Sequence, residues 1–145
     1  MTAQRISSGT PWEPVVGYSR AVAAGEYVFV SGCTSVLDGK LVHEGDAYHQ
    51  TVQAIANVST ALDRLGFEIA DVVRTRIFVT DITRWQEYGR AHGEAFGASR
   101  PATTMVEVSR LVDPRMLVEV EAVAYRQGGS GASRLLPDSP PQAFA

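Results

Sequence analysis

The sequence predicts an α+β domain in which helices pack on one face of a mixed β-sheet. Two segments space their apolar residues three and four positions apart, as amphipathic helices do. Other segments are rich in Val, Ile, Thr and Phe, the residues that favour strands. Along the chain the elements follow the order β-hairpin, helix, strand, helix, strand, strand. This mixed order is typical of an α+β sandwich.

Composition and charge indicate a globular protein without a membrane span. The chain has 145 residues, 45% hydrophobic and 20% charged, close to the globular averages of about 45–50% and about 25%. Its net charge of −3 offers no basic surface, so no nucleic-acid partner is expected. No apolar run approaches the ~18 residues of a membrane span, and the first residues lack the apolar stretch of a secretory signal. We therefore expect a cytoplasmic protein without membrane contact.

The C-terminal end differs in composition from the rest of the chain. Residues 127–145 contain nine Gly, Ser or Pro among nineteen residues. Such a segment cannot bury enough apolar surface to offset the entropy of ordering it. We predict one domain over residues 1–126, followed by a flexible tail over residues 127–145.

Two tight turns are predicted in the first third of the chain. Gly25-Glu26 has the form of a two-residue hairpin turn that begins with glycine, and Asp38-Gly39 marks a second turn. The strands are predicted over residues 20–24 and 27–31 around the first turn, and over 35–37 and 41–43 around the second.

Two helices are predicted in the middle of the chain. The first begins after Asp46, a good N-cap residue, and ends before Gly66. The second runs over residues 83–96 and is closed by Gly97. The predicted core-facing residues are Tyr48, Val52, Ile55, Val58, Leu62 and Leu65 on the first helix, and Trp85, Tyr88, His92 and Ala95 or Phe96 on the second.

The late strands, predicted over residues 72–80, 103–109 and 117–125, alternate between an apolar and a polar face. The apolar positions are Val73, Thr75, Ile77 and Val79 on one strand and Val118, Val120, Ala122 and Ala124 on another. The polar positions are Arg74, Arg76, Glu119 and Glu121, with Thr103, Met105 and Glu107 expected beside them. The residues alone favour a solvated face with cross-strand ion pairs over a subunit interface that holds a polar site.

Motif analysis identifies no metal or cofactor site. His43, His49 and His92 lack metal-ligand spacing, and no glycine loop opens a helix with phosphate-binding spacing. Cys33 is the only cysteine, which excludes an internal disulfide and a cysteine-clustered metal site. No histidine is evident as its base, so we interpret Cys33 as a buried apolar residue. No cofactor is expected.

Five segments together carry a more specific signal. They are residues 17–21 (GYSRA), 29–33 (FVSGC), 71–81 (DVVRTRIFVTD), 100–111 (RPA leading into VEVSRL) and 118–124 (VEVEAVA). In this order and spacing, residues 8–126 resemble the RidA family, also called YjgF-like, the reactive intermediate deaminases. The resemblance implies a chorismate-mutase-like fold and a homotrimer with a central barrel. It also implies small-molecule pockets between neighbouring subunits, which favours the interface interpretation of the polar face.

The resemblance also implies site residues. Matched position by position, Glu119 would help position the water that attacks a C=N carbon. Tyr18 and the Ser31-Gly32 segment, with Cys33 beside it, would line the pocket.

Three positions depart from the family pattern. Thr103 stands where deaminating members have the arginine that grips the substrate carboxylate. Arg90 stands at an asparagine position and Met105 at a cysteine position. Losing both bonds of an arginine–carboxylate fork removes about 3–6 kcal/mol, so the usual 2-imino-acid deamination is expected to be weak.

Three functions remain open at this point. The leading hypothesis is a RidA-like homotrimer that binds a small anionic or carbonyl-bearing metabolite between subunits, with hydrolytic chemistry at Glu119. The second is a 2-iminobutanoate/2-iminopropanoate-type enamine/imine deaminase in which Arg76 or Arg90 replaces the missing arginine. The third is a non-catalytic interaction or chaperone-like trimer. Ribonuclease activity is disfavoured by the acidic charge balance.

Overall fold

The computed structural model describes residues 2–128 and confirms the mixed α+β fold. The strands are β1 (Gln4–Ile6), β2 (Ala21–Ala24), β3 (Tyr27–Cys33), β4 (Val36–Leu37), β5 (Lys40–Leu41), β6 (Val72–Val79), β7 (Ala102–Glu107) and β8 (Val118–Tyr125). The α-helices are α1 (Trp12–Val16), α2 (Ala47–Asp63) and α3 (Trp85–Phe96). Within residues 2–128, no helix is long and apolar enough to cross a membrane. All but the first two residues of the predicted tail lie outside this range.

Six strands form one sheet in the order β1-β2-β3-β8-β6-β7. β6 and β7 are parallel and every other neighbouring pair is antiparallel. β4 and β5 form a separate two-stranded hairpin. Helices α2 and α3 lie on one face of the large sheet, which we call the helical face. The opposite side is called the outer face.

The predicted local signals at turns and helix ends are confirmed. Ala24 pairs with Tyr27 across the first turn, and Gly25 has the positive φ of +59° that this turn requires. Asp46 caps α2 by accepting a hydrogen bond from the His49 backbone N–H at 2.9 Å. Gly66 follows α2 with a φ of +77°.

The core lies between the sheet and α2, and its α2 stripe differs from the predicted one. Val52 is 40% exposed and Tyr48 is only half-buried. The buried residues of α2 are Ala47, Gln50, Thr51, Ala54, Ile55, Val58, Ala61 and Leu62. The prediction followed large apolar side chains, whereas small alanines line the buried stripe and let the helix approach the sheet closely.

Helix α3 also begins later than predicted. Residues Ile82–Arg84 form a 3₁₀ turn, and the α-helix starts at Trp85. Tyr88 and Phe96 are buried as expected, but Trp85 is 55% exposed. Side chains on a helix point toward its N-terminus, so a residue in the first turn covers the preceding segment rather than the core.

A bulge in β6 corrects the predicted pattern of that strand. Val72 pairs with Ala124 and Arg74 with Val123, so Val73 is the extra residue. As a result Val72 is buried, and Val73 is 44% exposed instead of facing the core. In β8 the predicted alternation holds, with Val118, Val120, Ala122 and Ala124 all buried.

The N-terminal segment contains two elements that sequence analysis missed, β1 and α1. Glu13 of α1 is buried and accepts hydrogen bonds from the backbone and hydroxyl groups of Ser8 and Thr10. Burial by itself would raise the pKa of Glu13, but these hydrogen bonds outweigh it and lower that pKa to about 2. Glu13 therefore fixes the start of the chain in ionised form.

Candidate functional site

Glu119 lies on β8 and extends over the backbone of Gly32 on the neighbouring strand. Val30 pairs with Ala122 and Cys33 with Val120, so β3 carries one extra residue between them. Gly32 lies in this bulge. A Cβ atom at Gly32 would be 2.7 Å from Cδ of Glu119. The missing side chain at position 32 is thus what makes room for the carboxyl group.

The carboxyl group of Glu119 is half-buried and has no hydrogen-bond partner within residues 2–128. Burial raises the pKa of Glu119, the charge of Glu121 adds to the rise, and the charge of Arg20 opposes it. A carboxyl group with a raised pKa is suited to proton transfer near neutral pH. Its free oxygens can bond to water or a ligand.

Arg20 also contacts the bulge at Gly32. Its Nη1 donates to the carbonyl of Gly32 at 2.6 Å and to that of Ser31 at 3.3 Å. Its Nη2 donates to the hydroxyl of Tyr18 at 3.3 Å. Nε donates to the Ser8 hydroxyl at 3.3 Å. These contacts hold the guanidinium beside the start of β2, within electrostatic range of Glu119.

The predicted pocket residues Tyr18, Ser31, Gly32 and Cys33 lie together around this arginine. The Ser31 hydroxyl donates to the Ser19 carbonyl at 2.7 Å, which ties β3 to the segment before β2. Cys33 Sγ is buried and lies 3.5 Å from Nη1 of Arg20. Burial raises the pKa of the Cys33 thiol, so the thiol is protonated at neutral pH.

Arg76 lies on the same outer face, but it is engaged. Its Nη1 forms an ion pair with Oε1 of Glu121 at 2.8 Å. Glu121 is two residues from Glu119 on β8, a separation of about 6.6–6.8 Å along the strand. Arg76 and Glu121 also line a hollow of 230 Å³ together with Ser31.

Arg90 lies in a different part of the chain. Its guanidinium stacks 3.9 Å from the centre of the Tyr48 ring, and Nε is 3.9 Å from Glu94. Both contacts are on the helical side of the sheet. The described chain therefore does not bring Arg90 and Glu119 together.

Thr103 and Met105 lie on the helical face, contrary to the expectation that they share the outer face with Glu119. In the parallel pair, Thr103 is opposite Thr75 and Met105 is opposite Ile77. Thr75 and Ile77 are buried beneath the helices. Glu107 is opposite Val79, so it also lies on the helical face rather than on the outer face. The parallel register decides this outcome, because residues directly opposite in a sheet point to the same face.

The hydroxyl group of Thr103 is linked through that of Thr75 to the imidazole of His92. Thr75 Oγ1 lies 2.7 Å from Thr103 Oγ1 and 2.8 Å from His92 Nε2. Burial lowers the pKa of His92, which favours the neutral imidazole. At position 103, where the family resemblance predicts an arginine, this chain therefore has a threonine hydroxyl group on the edge strand β7.

Sequence analysis did not identify Arg20 as a site residue. A signal was present, since Arg20 lies two residues after Tyr18 and directly precedes Ala21, which is completely buried. A charged residue at the start of a buried strand needs specific acceptors. Its reach to the β3 bulge depends on tertiary structure.

Two concave regions flank the site, and neither has Glu119 in its lining. The first is an open groove of 740 Å³ that includes Tyr18, Ser19 and Glu13. The second is the 230 Å³ hollow at Ser31 and Arg76. Within residues 2–128, no three His, Cys, Asp or Glu side chains form a group that could hold a metal ion.

Fold and site together define a YjgF-like α+β domain with a carboxyl group above a glycine bulge. The family described as "Endoribonuclease L-PSP" matches residues 9–126. An uncharacterised protein of Streptomyces coelicolor is 42% identical over 123 residues, covering 85% of this chain and 92% of that protein. The chain belongs to this family, the YjgF/RidA family.

Further relatives agree with this assignment. The 3-aminoacrylate deaminase RutC of Acinetobacter baylyi is 32% identical over 121 residues, covering 83% of this chain and 94% of that protein. A crystal structure of a YjgF/YER057c/UK114 family member from Mycobacterium tuberculosis superposes with a TM-score of 0.79 at 48% identity, covering 86% of this chain and all of that one. The YjgF gene product of E. coli superposes with a TM-score of 0.75 at 26% identity, covering 86% of this chain and 99% of that one.

Proposed function

We propose that this protein is a deaminase of small imines or enamines, with Glu119 as the group that transfers protons. The observation that carries the proposal is the carboxyl group of Glu119, half-buried, with a raised pKa and without a hydrogen-bond partner in the described chain. A structural carboxyl group at this depth would be expected to have a partner. The 32% identity to a 3-aminoacrylate deaminase supports the same reaction class.

The reaction is hydrolysis of a C=N bond. Ionised Glu119 takes a proton from a water molecule, whose oxygen attacks the C=N carbon, and passes that proton to the imine nitrogen to give a carbinolamine. Glu119 then takes the proton of the carbinolamine hydroxyl group and delivers it to the amine nitrogen. The C–N bond breaks as C=O forms, so imine and water become a carbonyl compound and ammonia, and Glu119 is ionised again.

We also propose that the outer face is buried in a homotrimer. Phe29, Val73 and Val106 lie on this face with exposures between 41% and 48%. Exposed apolar groups clustered on one sheet face are typical of interaction surfaces. Burying this face between copies would enclose the Arg76–Glu121 ion pair and place Glu119 near a neighbouring subunit.

The experiment is a hydrolysis assay with imines made in situ by an amino-acid oxidase, followed through their consumption. We expect wild type to accelerate imine loss and Glu119→Gln to lower the rate by about 10²–10⁴-fold. Glu44→Gln, on an exposed loop residue, removes a carboxylate elsewhere and should retain the wild-type rate. Equal rates for wild type and Glu119→Gln would contradict the proposal. Binding of the product without acceleration would favour a non-catalytic binding protein.

A further inference from the structure

We propose that Arg20, with the Tyr18 hydroxyl beside it, binds the carboxylate of a small 2-oxo or 2-imino acid whose reacting carbon lies at Glu119. The substrate class rests on the proposed function, but the anion site rests on the contacts of Arg20 itself. Arg20 thus takes the role that the arginine expected at position 103 would have had.

The geometry of Arg20 leaves part of the guanidinium free. Nη1 is held by the backbone carbonyls of Ser31 and Gly32, which fixes the plane of the group. Nη2 carries two hydrogens, and within residues 2–128 its one acceptor is the Tyr18 hydroxyl. The second hydrogen of Nη2 can therefore bond to a ligand oxygen. The Tyr18 hydroxyl, which accepts from Nη2, has its own hydrogen to donate to the same ligand.

In residues 2–128 the charge of Arg20 is within electrostatic range of Glu119 but is not in direct contact with any carboxylate. All its acceptors in the described chain are neutral, namely three hydroxyl or thiol groups and two carbonyls. No carboxylate of residues 2–128 forms an ion pair with it within 4.0 Å. A half-buried cation with neutral partners gains from a bound anion, because charge-assisted hydrogen bonds are about twice as strong as neutral ones.

The position of the site relative to Glu119 defines the ligand. Arg20 donates to the carbonyl of Gly32, and the carboxyl group of Glu119 lies over the same glycine. A ligand that reaches both groups would be short, with its anionic group close to its reactive carbon. Short 2-oxo and 2-imino acids have this form.

The other candidate arginines do not offer an equivalent site. Arg76 is neutralised by Glu121 at 2.8 Å, and Arg90 stacks on Tyr48 on the helical side. Thr103 carries no charge and lies on the helical face.

Calorimetric titration with pyruvate and with uncharged pyruvamide tests the inference. We expect wild type to bind pyruvate, and Arg20→Gln to weaken that binding by about 10- to 100-fold while leaving pyruvamide unchanged. Arg20→Lys should recover part of the loss. The control Arg84→Gln removes a guanidinium that pairs with Glu87, far from the site in the turn before α3, and should bind pyruvate like wild type. No pyruvate binding by wild type, or equal binding by Arg20→Gln, would overturn the inference.

A second measurement on the wild-type protein guards against an Arg20→Gln variant that fails to fold. Butanedione modifies accessible arginines, and mass mapping reports the extent at each one. Pyruvate should protect Arg20 from modification, whereas pyruvamide should not. Unchanged modification of Arg20 at saturating pyruvate would also overturn the inference.

If wild type hydrolyses imines but Arg20 fails these tests, the proposed function stands and the anion site is wrong. If pyruvate binds through Arg20 but the protein hydrolyses no imine, the anion site stands and the proposed function is wrong.

Discussion

The carboxyl group of Glu119 occupies the space that a side chain on Gly32 would need. A Cβ at position 32 would lie 2.7 Å from Cδ and 2.9 Å from Cγ of Glu119, well inside van der Waals contact. Because Arg20 donates to the carbonyl of the same glycine, the β3 bulge sets the positions of both charged groups. Substitutions at this bulge should therefore affect the site more than the fold.

Gly32→Ala should displace the Glu119 side chain and lower imine hydrolysis by about tenfold or more, since small misplacements of a reacting group are costly. The fold should survive, because Glu119 has a flexible side chain that can rotate away. Gly93→Ala on α3 is the matched control, as a Cβ there meets nothing within 4 Å and alanine favours a helix. Assays and thermal unfolding of both variants measure the difference. A Gly32→Ala enzyme with the wild-type rate would contradict this view of the site.

Glu119→Gln should be at least as stable as wild type at pH 8. Burial raises the pKa of Glu119 above its ordinary value of 4.5, so ionising it costs stability in the folded state. The cost is absent below pH 4.5 and grows as the pH rises from there to the folded pKa. The stability difference between variant and wild type should therefore vanish near pH 4. Denaturation across this pH range, at fixed protein concentration, checks the sign, and a destabilised variant at pH 8 would reveal a stabilising bond of the carboxylate.

Glu13→Gln should destabilise the protein by about 1–2 kcal/mol at pH 7. The folded pKa of Glu13 is lowered from 4.5 to about 2, so its contribution is complete above 4.5 and is lost as the pH falls toward 2. The difference from wild type should shrink over that interval. Glu44→Gln serves as the control and should follow the wild-type curve. A constant difference down to pH 2 would mean that packing, not ionisation, explains the effect.

Phe29→Glu should dissociate the proposed trimer. Phe29 is 48% exposed on the outer face, so the substitution costs the single chain little, while a buried interface would hold an unpaired charge. Sedimentation equilibrium should give three times the 15.6 kDa chain mass for wild type and a single chain mass for the variant. Val52→Glu, at a 40% exposed position on α2, should remain trimeric. A wild-type monomer at micromolar concentration would refute the assembly.

Interactions between residues close together in the sequence determined several turns, helix ends and strand faces of this protein. The hairpin at Gly25-Glu26 and the cap at Asp46 follow from backbone preferences of a few neighbouring residues, and both are present as predicted. The alternation of β8 placed Glu119 on the face opposite the helices, because the side-chain period of a strand is two. The five matching segments identified the family from sequence order.

Tertiary structure decided what surrounds Glu119. Bulges in β3 and β6 are set by pairing with β8, a strand far away in sequence, so no local pattern could place Gly32 or Val73. The parallel register with β6 put Thr103 on the helical face. Arg20 reached the site through contacts with residues up to 13 positions away. The electrostatics of the site depend on burial and on charges from separate strands, which exist only once the sheet has formed.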